Sequence, residues 1–225
     1  MIILAIETAT TACAIGLLDA DGTTTECVLD ESRRHTEVLV PGIDSLLRGR
    51  GITPRDLDRV VVDRGPGLFT GLRVGIATAS SLAQALGCAL VSATSLELLA
   101  HGARALGVRG TTLCAVDGRR GEVFTQTFRV DGAVVAVDRP FVAQPRDIIE
   151  EWRRRGEPVT LVGDGVVRYA SEFSLLPGAT LLSTSVPSVA AALDLARTRA
   201  VEAAVAPLYL READAVANFS TRQRP

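Results

Sequence analysis

One pattern of strand, turn and strand occurs once in each half of the sequence, and it limits the folds that the chain can adopt. The first copy is IETATTACAIGLLDADG, from Ile6, and the second is VDGRRGEVFTQTFRVDG, from Val116. Each has an apolar strand that ends in an acid, a short turn, a second strand and an Asp-Gly hairpin turn. A pattern that recurs in this way predicts an internal duplication.

The order of the remaining elements is also the same in the two halves. Apolar periodicity predicts strands at 2–6, 13–18, 23–29, 60–62 and 89–92 and helices at 35–48, 71–86 and 96–106 in the first half. It predicts strands at 112–116, 122–130, 134–137 and 159–162 and helices at 145–155 and from 187 towards 204 in the second half. Pro41 lies within the first predicted helix and predicts a kink or a late start there.

Two successive βββαβα units are typical of a duplicated ribonuclease-H-like fold, the α/β architecture of actin-like (ASKHA) ATPases. A single doubly wound sheet also alternates strands and helices, but antiparallel hairpins are uncommon in such a sheet. We therefore expect a first domain over 1–106 and a second over 107–206, with residues 207–225 packing back on the first.

Charge and composition exclude several functions. The net charge is −2, so the whole molecule lacks the positive field that favours nucleic acid. All 24 basic side chains are arginine, which excludes a Schiff-base lysine and a P-loop lysine. No apolar run is long enough to span a membrane, the start does not resemble a signal peptide and the four cysteines show no metal-ligand spacing. We expect a reduced cytoplasmic protein without membrane contact.

A glycine-rich segment joins a predicted strand to a predicted helix. It includes Gly65, Pro66, Gly67, Thr70 and Gly71 and fits neither the P-loop nor the dinucleotide fingerprint. Small residues then recur every four positions along the helix, at Gly71, Gly75, Ala79 and Ala83. This stripe predicts close packing of another helix, either within the chain or on a partner, and the pattern leaves both interpretations open.

Five segments resemble one family. GPGLFTGLRVG, at 65–75, resembles the GPGSFTGLRIG signature of the TsaB (YeaZ) family. IETATTACAIGL at the start, RHTEVLVPGI, DGRRGEVF and PLYLR near the end agree with that family in the same order. The departures are Glu7 for the usual aspartate, Leu68 for serine and Gly118 for alanine. The resemblance covers nearly the whole chain.

The resemblance implies a non-catalytic scaffold in the synthesis of threonylcarbamoyladenosine (t6A). In that family the paralogue TsaD transfers a threonylcarbamoyl group to adenosine 37 of tRNAs that read ANN codons, and the scaffold forms a heterodimer with TsaD. The resemblance also implies that TsaE joins in a larger complex and that tRNA binds only through this complex. In the absence of TsaD, it implies a homodimer of the scaffold. No catalytic residue and no metal are implied for this chain.

The resemblance also implies that helices of the first domain contact TsaD. The interface residues implied by this resemblance and by the helical pattern are His35, Glu37, Leu39, Ile43, Leu72, Arg73, Gly75, Ile76, Ala79 and Ala83. For His35, a solvated helix end is an equally open interpretation.

A vestigial nucleotide site is expected at Glu7, Asp117, Gly163, Asp164 and Gly165. Acids at the ends of equivalent strands could coordinate Mg²⁺, but turn capping is the favoured interpretation. Asp164 interrupts the glycines of what resembles an adenosine loop. We expect no tightly bound cofactor in this chain alone, with ATP and Mg²⁺ only in the complex.

The alternative function is an enzyme, either an actin-like ATPase or kinase or an M22-like glycoprotease. The catalytic paralogue holds its metal with two histidines four residues apart, and Ser95 and Leu99 occupy the matching positions here. An alkyl side chain offers no lone pair to a metal, which argues against this alternative.

Overall fold

A computed structural model describes residues 1–30 and 35–211, which contain two mixed β-sheets. The first sheet has the strand order β3-β2-β1-β4-β5. Strands β1 to β3 pair antiparallel, whereas β1, β4 and β5 are parallel. The bounds are β1 (Ile3–Glu7), β2 (Cys13–Leu18), β3 (Thr24–Asp30), β4 (Arg59–Asp63) and β5 (Ala89–Ala93).

The second sheet repeats this arrangement. Its order is β11-β10-β6-β7-β8, with the short β9 also paired to β7. Strands β6, β10 and β11 are parallel, and β6 to β8 form antiparallel hairpins. The bounds are β6 (Gly110–Arg119), β7 (Glu122–Asp131), β8 (Ala133–Ala136), β9 (Phe141–Ala143), β10 (Val159–Val162) and β11 (Ala179–Leu181).

The predicted duplication is confirmed, because the order β3-β2-β1-β4-β5 in the first sheet matches β8-β7-β6-β10-β11 in the second. The strand directions in the two sheets also match. Both units begin with three antiparallel strands, continue through a helix to a parallel strand, and have the ribonuclease-H-like topology. The helices are α1 (His35–Gly49), α2 (Phe69–Leu86), α3 (Ser95–Ala105), α4 (Pro145–Arg155), α5 (Asp164–Arg168), α6 (Ala170–Phe173) and α7 (Val189–Ala196). A short 3₁₀ helix covers Pro54–Asp56.

Helices α1 and α2 cover one face of the first sheet. Alternate strand residues such as Leu4, Ile15 and Val62 point to this side and are almost fully buried. Leu39 of α1 and Ile76 of α2 complete the same apolar cluster. The two helices therefore lie side by side, with their opposite faces directed away from the sheet.

The other face of each sheet is covered by a helix from the opposite half of the chain. Helix α7 packs on Ile3, Ala5 and Val61 of the first sheet. Helix α3 packs on Cys114 and Val116 of the second sheet. The two helices also contact each other, so they form a shared layer between the sheets. This exchange of helices was not part of the prediction from sequence.

Two element predictions are corrected. Helix α1 is continuous from His35 through Pro41, so the late start does not occur, and the alternative of a kink at Pro41 stays a prediction. The last helix ends at Ala196 and not near 204, because the following residues instead bind the edge of the first sheet. There Arg199 pairs with Glu97, and Glu202 accepts hydrogen bonds from both the amide and the hydroxyl of Ser92.

The C-terminal segment Pro207–Arg211 contacts both halves of the molecule. The amide of Leu208 donates to the carbonyl of Arg64, and the ring of Tyr209 stacks on Phe69. Leu210, also expected on the first domain, packs against a cluster that combines α3 of the first half with β6 and β7 of the second. Residues 212–225 of the predicted returning stretch lie outside the described residues.

Within the described ranges, no helix is both long enough and apolar enough to cross a membrane.

Candidate functional site

The glycine-rich loop lies directly on the turn that follows β1. The amide of Leu68 donates to the carbonyl of Ala9 over 2.6 Å, and the peptide bond between Gly65 and Pro66 is cis. A Cβ at residue 67 would overlap the Ala9 carbonyl, which leaves room only for glycine. The signature loop thus serves first to hold α2 against the turn.

The small-residue stripe of α2 continues this close contact and faces the protein's own sheet. A Cβ at residue 71 would overlap the carbonyl oxygen of Thr8, whose hydroxyl in turn donates to the Gly71 carbonyl over 2.9 Å. A Cβ at residue 75 would overlap the Thr8 hydroxyl oxygen. Farther along, Ala79 is 0% exposed within the core. Internal packing therefore accounts for the stripe.

Most of the predicted interface residues face the chain's own sheet, and the partner interface itself stays a prediction. The following are buried in the chain's own core: His35, Leu39, Ile43, Leu72, Gly75, Ile76, Ala79 and Ala83. Of the predicted set, Glu37 and Arg73 remain exposed. A buried side chain cannot contact a partner unless the helix moves, so these eight positions hold the helices in place.

The surface of α1 and α2 that faces away from the sheet carries a second set of residues, in which small and apolar side chains stand among charged ones. We call it the outer helix face and define it as Glu37, Val40, Asp44, Phe69, Arg73, Ala77 and Ser81, all exposed. Val40 is 60% exposed and Phe69 39% exposed. Ala77 and Ser81 follow Arg73 at intervals of four residues, so they line up along the helix. This spacing is present in the sequence, but the interface prediction followed the other stripe of small residues, which faces inwards.

Aromatic and cationic groups cluster at one end of the outer helix face. The ring centroids of Phe69 and Tyr209 are 5.4 Å apart, and the guanidinium carbon of Arg73 lies 3.8 Å from the Phe69 ring centroid. Arg73 Nε donates to the Tyr209 hydroxyl over 3.2 Å. Stacked rings and an arginine are side chains that often supply much of the binding energy in interfaces. Sequence reasoning missed the part of Tyr209 in this cluster.

A shallow pocket of about 200 Å³ lies beside this cluster, where the first turns of α1 and α2 meet. His35 lines it but is only 4% exposed. The His35 Nε2 atom is 3.3 Å from the carbonyl oxygen of Thr11. A Cβ at residue 71 would lie 3.0 Å from the His35 Nδ1 atom. His35 therefore links the first turn to α2, and the predicted solvated helix end is corrected.

The acids at the ends of β1 and β4 are buried side by side in the first half. One oxygen of Glu7 accepts from the amides of Ala9 and Thr10, at 2.9 and 3.2 Å. Asp63 accepts from the amide of Gly65 and the hydroxyl of Ser95. Burial raises the pKa of Glu7 well above its usual range, and the Asp63 carboxylate raises it further. Burial also raises the pKa of Asp63 to about 7.

The second half of the predicted vestigial site is likewise engaged in local structure. Asp117 accepts from the amide of Arg119 over 2.9 Å, and Asp164 accepts from the Asp117 amide at the same distance. Burial raises the pKa of Asp164 to about 6. A Cβ at residue 163 would overlap the carbonyl of Ala115, and one at residue 165 would lie 3.0 Å from it. These two glycines allow α5 to pack closely on β6.

The polar groups at the strand ends of the first half are engaged within the chain itself. The turn amides after β1 donate inwards to Glu7, and the glycine-rich loop covers that turn. Ser95 is fully buried and donates to Asp63, and Leu99 is fully buried in the core. Among residues 1–30 and 35–211, no group of three or more His, Cys, Asp or Glu side chains is arranged to hold a metal ion.

Two comparisons of sequence place this chain among known proteins. A family model described as TsaD, tRNA N6-adenosine threonylcarbamoyltransferase, matches residues 30–216. The chain is 29% identical to the tRNA threonylcarbamoyladenosine biosynthesis protein TsaB of Bacillus subtilis, over the full length of both. It is 34% identical to TsaB of Escherichia coli over 73% of this chain and 72% of that protein. It spans 40% of the length of an uncharacterised Mycobacterium leprae protein, with 40% identity.

Solved structures agree with the fold. An uncharacterised protein with similarity to peptidase YeaZ from Pseudomonas aeruginosa superposes with a TM-score of 0.80 at 27% identity, over 93% of this chain and 99% of that one. The activator of 2-hydroxyisocaproyl-CoA dehydratase from Clostridium difficile, with bound ADPNP, superposes with a TM-score of 0.52 at 12% identity, over 86% and 92%. This second likeness concerns the fold alone.

Proposed function

We propose a function from one premise: the chain belongs to the TsaB family, within the wider family that the TsaD model describes. Family members are named threonylcarbamoyladenosine biosynthesis proteins. The chain therefore takes part in making this modified nucleoside in tRNA, in the cytoplasm. Within that process it is a scaffold that binds TsaD and performs no chemistry itself.

The absence of catalysis is supported by the structural contacts that each candidate catalytic side chain makes within the chain. Ser95 and Leu99 fill the two positions where the family's enzyme places metal-binding histidines, and both are buried in structural contacts. Glu7 and Asp117 hold the turns that follow their strands. The chain alone accordingly binds no nucleotide tightly, and ATP with Mg²⁺ enters only with the complex.

The observation that carries partner binding is the outer helix face. It exposes Val40 and Phe69 beside the small residues Ala77 and Ser81, a surface that lets another helix approach closely. The chain matches a TsaD family model, so its partner has the same fold and offers a similar pair of helices. Two related surfaces of this kind can pair about a pseudo-twofold axis, and the same face forms a homodimer when TsaD is absent.

TsaE and tRNA join through this heterodimer and not through the chain alone. The net charge of −2 gives the free protein no general attraction to a phosphate backbone. Recognition of adenosine 37 therefore belongs to TsaD.

The test places one arginine on each face of α2. Ala77→Arg adds a long charged side chain to the outer helix face, where the free chain leaves it in water. We expect normal thermal unfolding but at least about tenfold weaker binding to TsaD by calorimetry. The reason is that binding would remove the charge from water with no opposite charge to pair with it. Ala79→Arg, at a fully buried position, should instead unfold the chain.

A substitution on the surface of the second half supplies the control. Arg129→Ala, on the exposed side of β7 in the second half, should leave TsaD affinity and stability unchanged. Wild-type affinity for Ala77→Arg would move the interface elsewhere. A purified wild-type chain that does not bind TsaD at micromolar concentration, or that transfers the threonylcarbamoyl group without TsaD, would overturn the scaffold role.

A further inference from the structure

The C-terminal segment Pro207–Arg211 is attached first to the glycine-rich loop of the first half. The amide of Leu208 donates to the carbonyl of Arg64 over 2.7 Å. The next residue, Tyr209, stacks on Phe69 and accepts from Arg73. The segment therefore rests on the same aromatic cluster that ends the outer helix face.

Two residues later the segment is attached to the second half. Arg211 donates from Nη1 to the Glu122 carboxylate over 2.9 Å and from Nη2 to the Gly118 carbonyl over 3.1 Å. Leu210 packs with the cluster that includes Val116. Both halves are thus held within a span of four residues.

These two anchor points lie at the carboxyl ends of strands in the two halves. Arg64 directly follows β4, and Gly118 lies near the end of β6. The segment therefore links the carboxyl ends of β4 and β6.

A second connection between the halves is the shared layer of α3 and α7. These helices contact each other and lie against the inner faces of the two sheets. Any movement of the β6–β7 hairpin away from the segment would have to separate Arg211 from Glu122. That ion pair is about one-third exposed (31% and 32%), so water can replace its hydrogen bonds when it opens.

We propose that Pro207–Arg211 is an interdomain latch that couples the outer helix face to the β6–β7 hairpin. This inference rests on the proposed function, because the partner that covers Phe69 and Arg73 would also cover Tyr209. A bound partner holds the ring stack in place, and the stack holds Leu210 and Arg211 against the β6–β7 hairpin. Partner binding on the first half is thereby transmitted to a loop of the second half.

The first arm of the test uses the free full-length chain and hydrogen–deuterium exchange. Arg211→Ala should speed amide exchange in residues 117–123 several-fold, because the hairpin loses its contact with the segment. Arg129→Ala, which removes an arginine from the same strand pair far from the segment, is the matched control and should match wild type. The charge exchange of Arg211→Glu with Glu122→Arg restores the ion pair but not the hydrogen bond to Gly118, so it should restore slow exchange in part.

The second arm adds TsaD at saturating concentration. In the wild type, both α1–α2 and residues 117–123 should gain protection. In Arg211→Ala, the helices should still gain it and the hairpin should not. Unchanged hairpin exchange in free Arg211→Ala overturns the latch whether or not TsaD binds. Equal hairpin protection in the variant and the wild type overturns the coupling, and missing protection of α1–α2 in the wild type counts against the proposed function.

Discussion

At the scale of single residues, the most unusual feature is the pair of acids beneath the glycine-rich loop. Glu7 and Asp63 end adjacent parallel strands and are both 0% exposed. Each has one oxygen engaged by turn amides, and neither Glu7 Oε2 nor Asp63 Oδ2 has a hydrogen-bond partner among the described residues. Burying a charge without full hydrogen bonding is unfavourable, so these carboxyls hold protons at higher pH than usual.

This pair predicts a dependence of stability on pH. Because the pKa of folded Asp63 is raised to about 7 from a usual 3.8, its contribution is fully present below the lower value and is lost as pH rises through about 7. Asp63→Asn keeps an acceptor for Gly65 and Ser95 but cannot ionise. Between pH 4 and pH 8 the variant should lose less unfolding free energy than wild type, by roughly 1–3 kcal/mol.

Urea unfolding at a series of pH values measures the difference. Asp44→Asn, on the exposed side of α1, serves as the matched control and should follow wild type. Parallel pH profiles for Asp63→Asn and wild type would contradict the raised pKa.

The sequence identified one member of this pair and not the other. Glu7 was recognised because it ends the first strand of a repeated pattern. Asp63 ends a buried strand in the same way, but its partner in space lies 56 residues earlier, and only the parallel pairing of β1 with β4 joins them. The distance of these two residues along the sequence does not show that their strands are neighbours, because strand order is a property of the folded sheet.

At the scale of elements, helix α2 has two faces with different duties. The inward stripe from Gly71 to Ala83 sits on the turn after β1 and on the sheet, and the outer helix face has its own small residues. The sequence predicted the helix, the small stripe and the glycine-rich loop. It could not predict which face points inwards, because small residues occur on both sides and helix rotation is decided by packing.

The seating of α2 gives a prediction at this scale. Alanine is usually more favourable than glycine inside a helix by about 1 kcal/mol. Gly71→Ala should nevertheless destabilise the chain by roughly 2–4 kcal/mol, because its Cβ would overlap the Thr8 carbonyl. Denaturant unfolding of purified variants measures the change.

A second glycine in a helix provides the comparison. Gly49, the last residue of α1, has open space around the position of an added Cβ. Gly49→Ala should therefore be neutral or slightly stabilising. If Gly71→Ala were as stable as Gly49→Ala, the close contact between α2 and the first turn would be wrong.

At the scale of the whole molecule, the two repeats depend on each other because each covers its inner face with a helix from the other. Sequence periodicity placed α3 and α7 in their own repeats, which is correct along the chain. Their packing partners could not be predicted, because an apolar helix stripe fits either sheet. The boundary near residue 106 therefore remains a prediction about chain order and does not separate two independent cores.

This exchange predicts the behaviour of a fragment. Residues 1–106 alone would expose Ile3, Ala5 and Val61, which α7 covers in the full chain, and would leave α3 without its sheet. We expect this fragment to aggregate and to show no sharp thermal transition. Co-expression with residues 107–211 should restore a folded complex. A monomeric fragment with a sharp transition would show that the first repeat is self-sufficient.

The exchanged helices also set an order of events during protein synthesis. Helix α7 begins at Val189, so it leaves the ribosome only after most of the chain has been made. Until then the inner face of the first sheet has no cover, although all five of its strands have already emerged. The first repeat therefore stays partly folded until α7, near the end of the second repeat, has been synthesised. During this interval chaperones would protect the nascent chain.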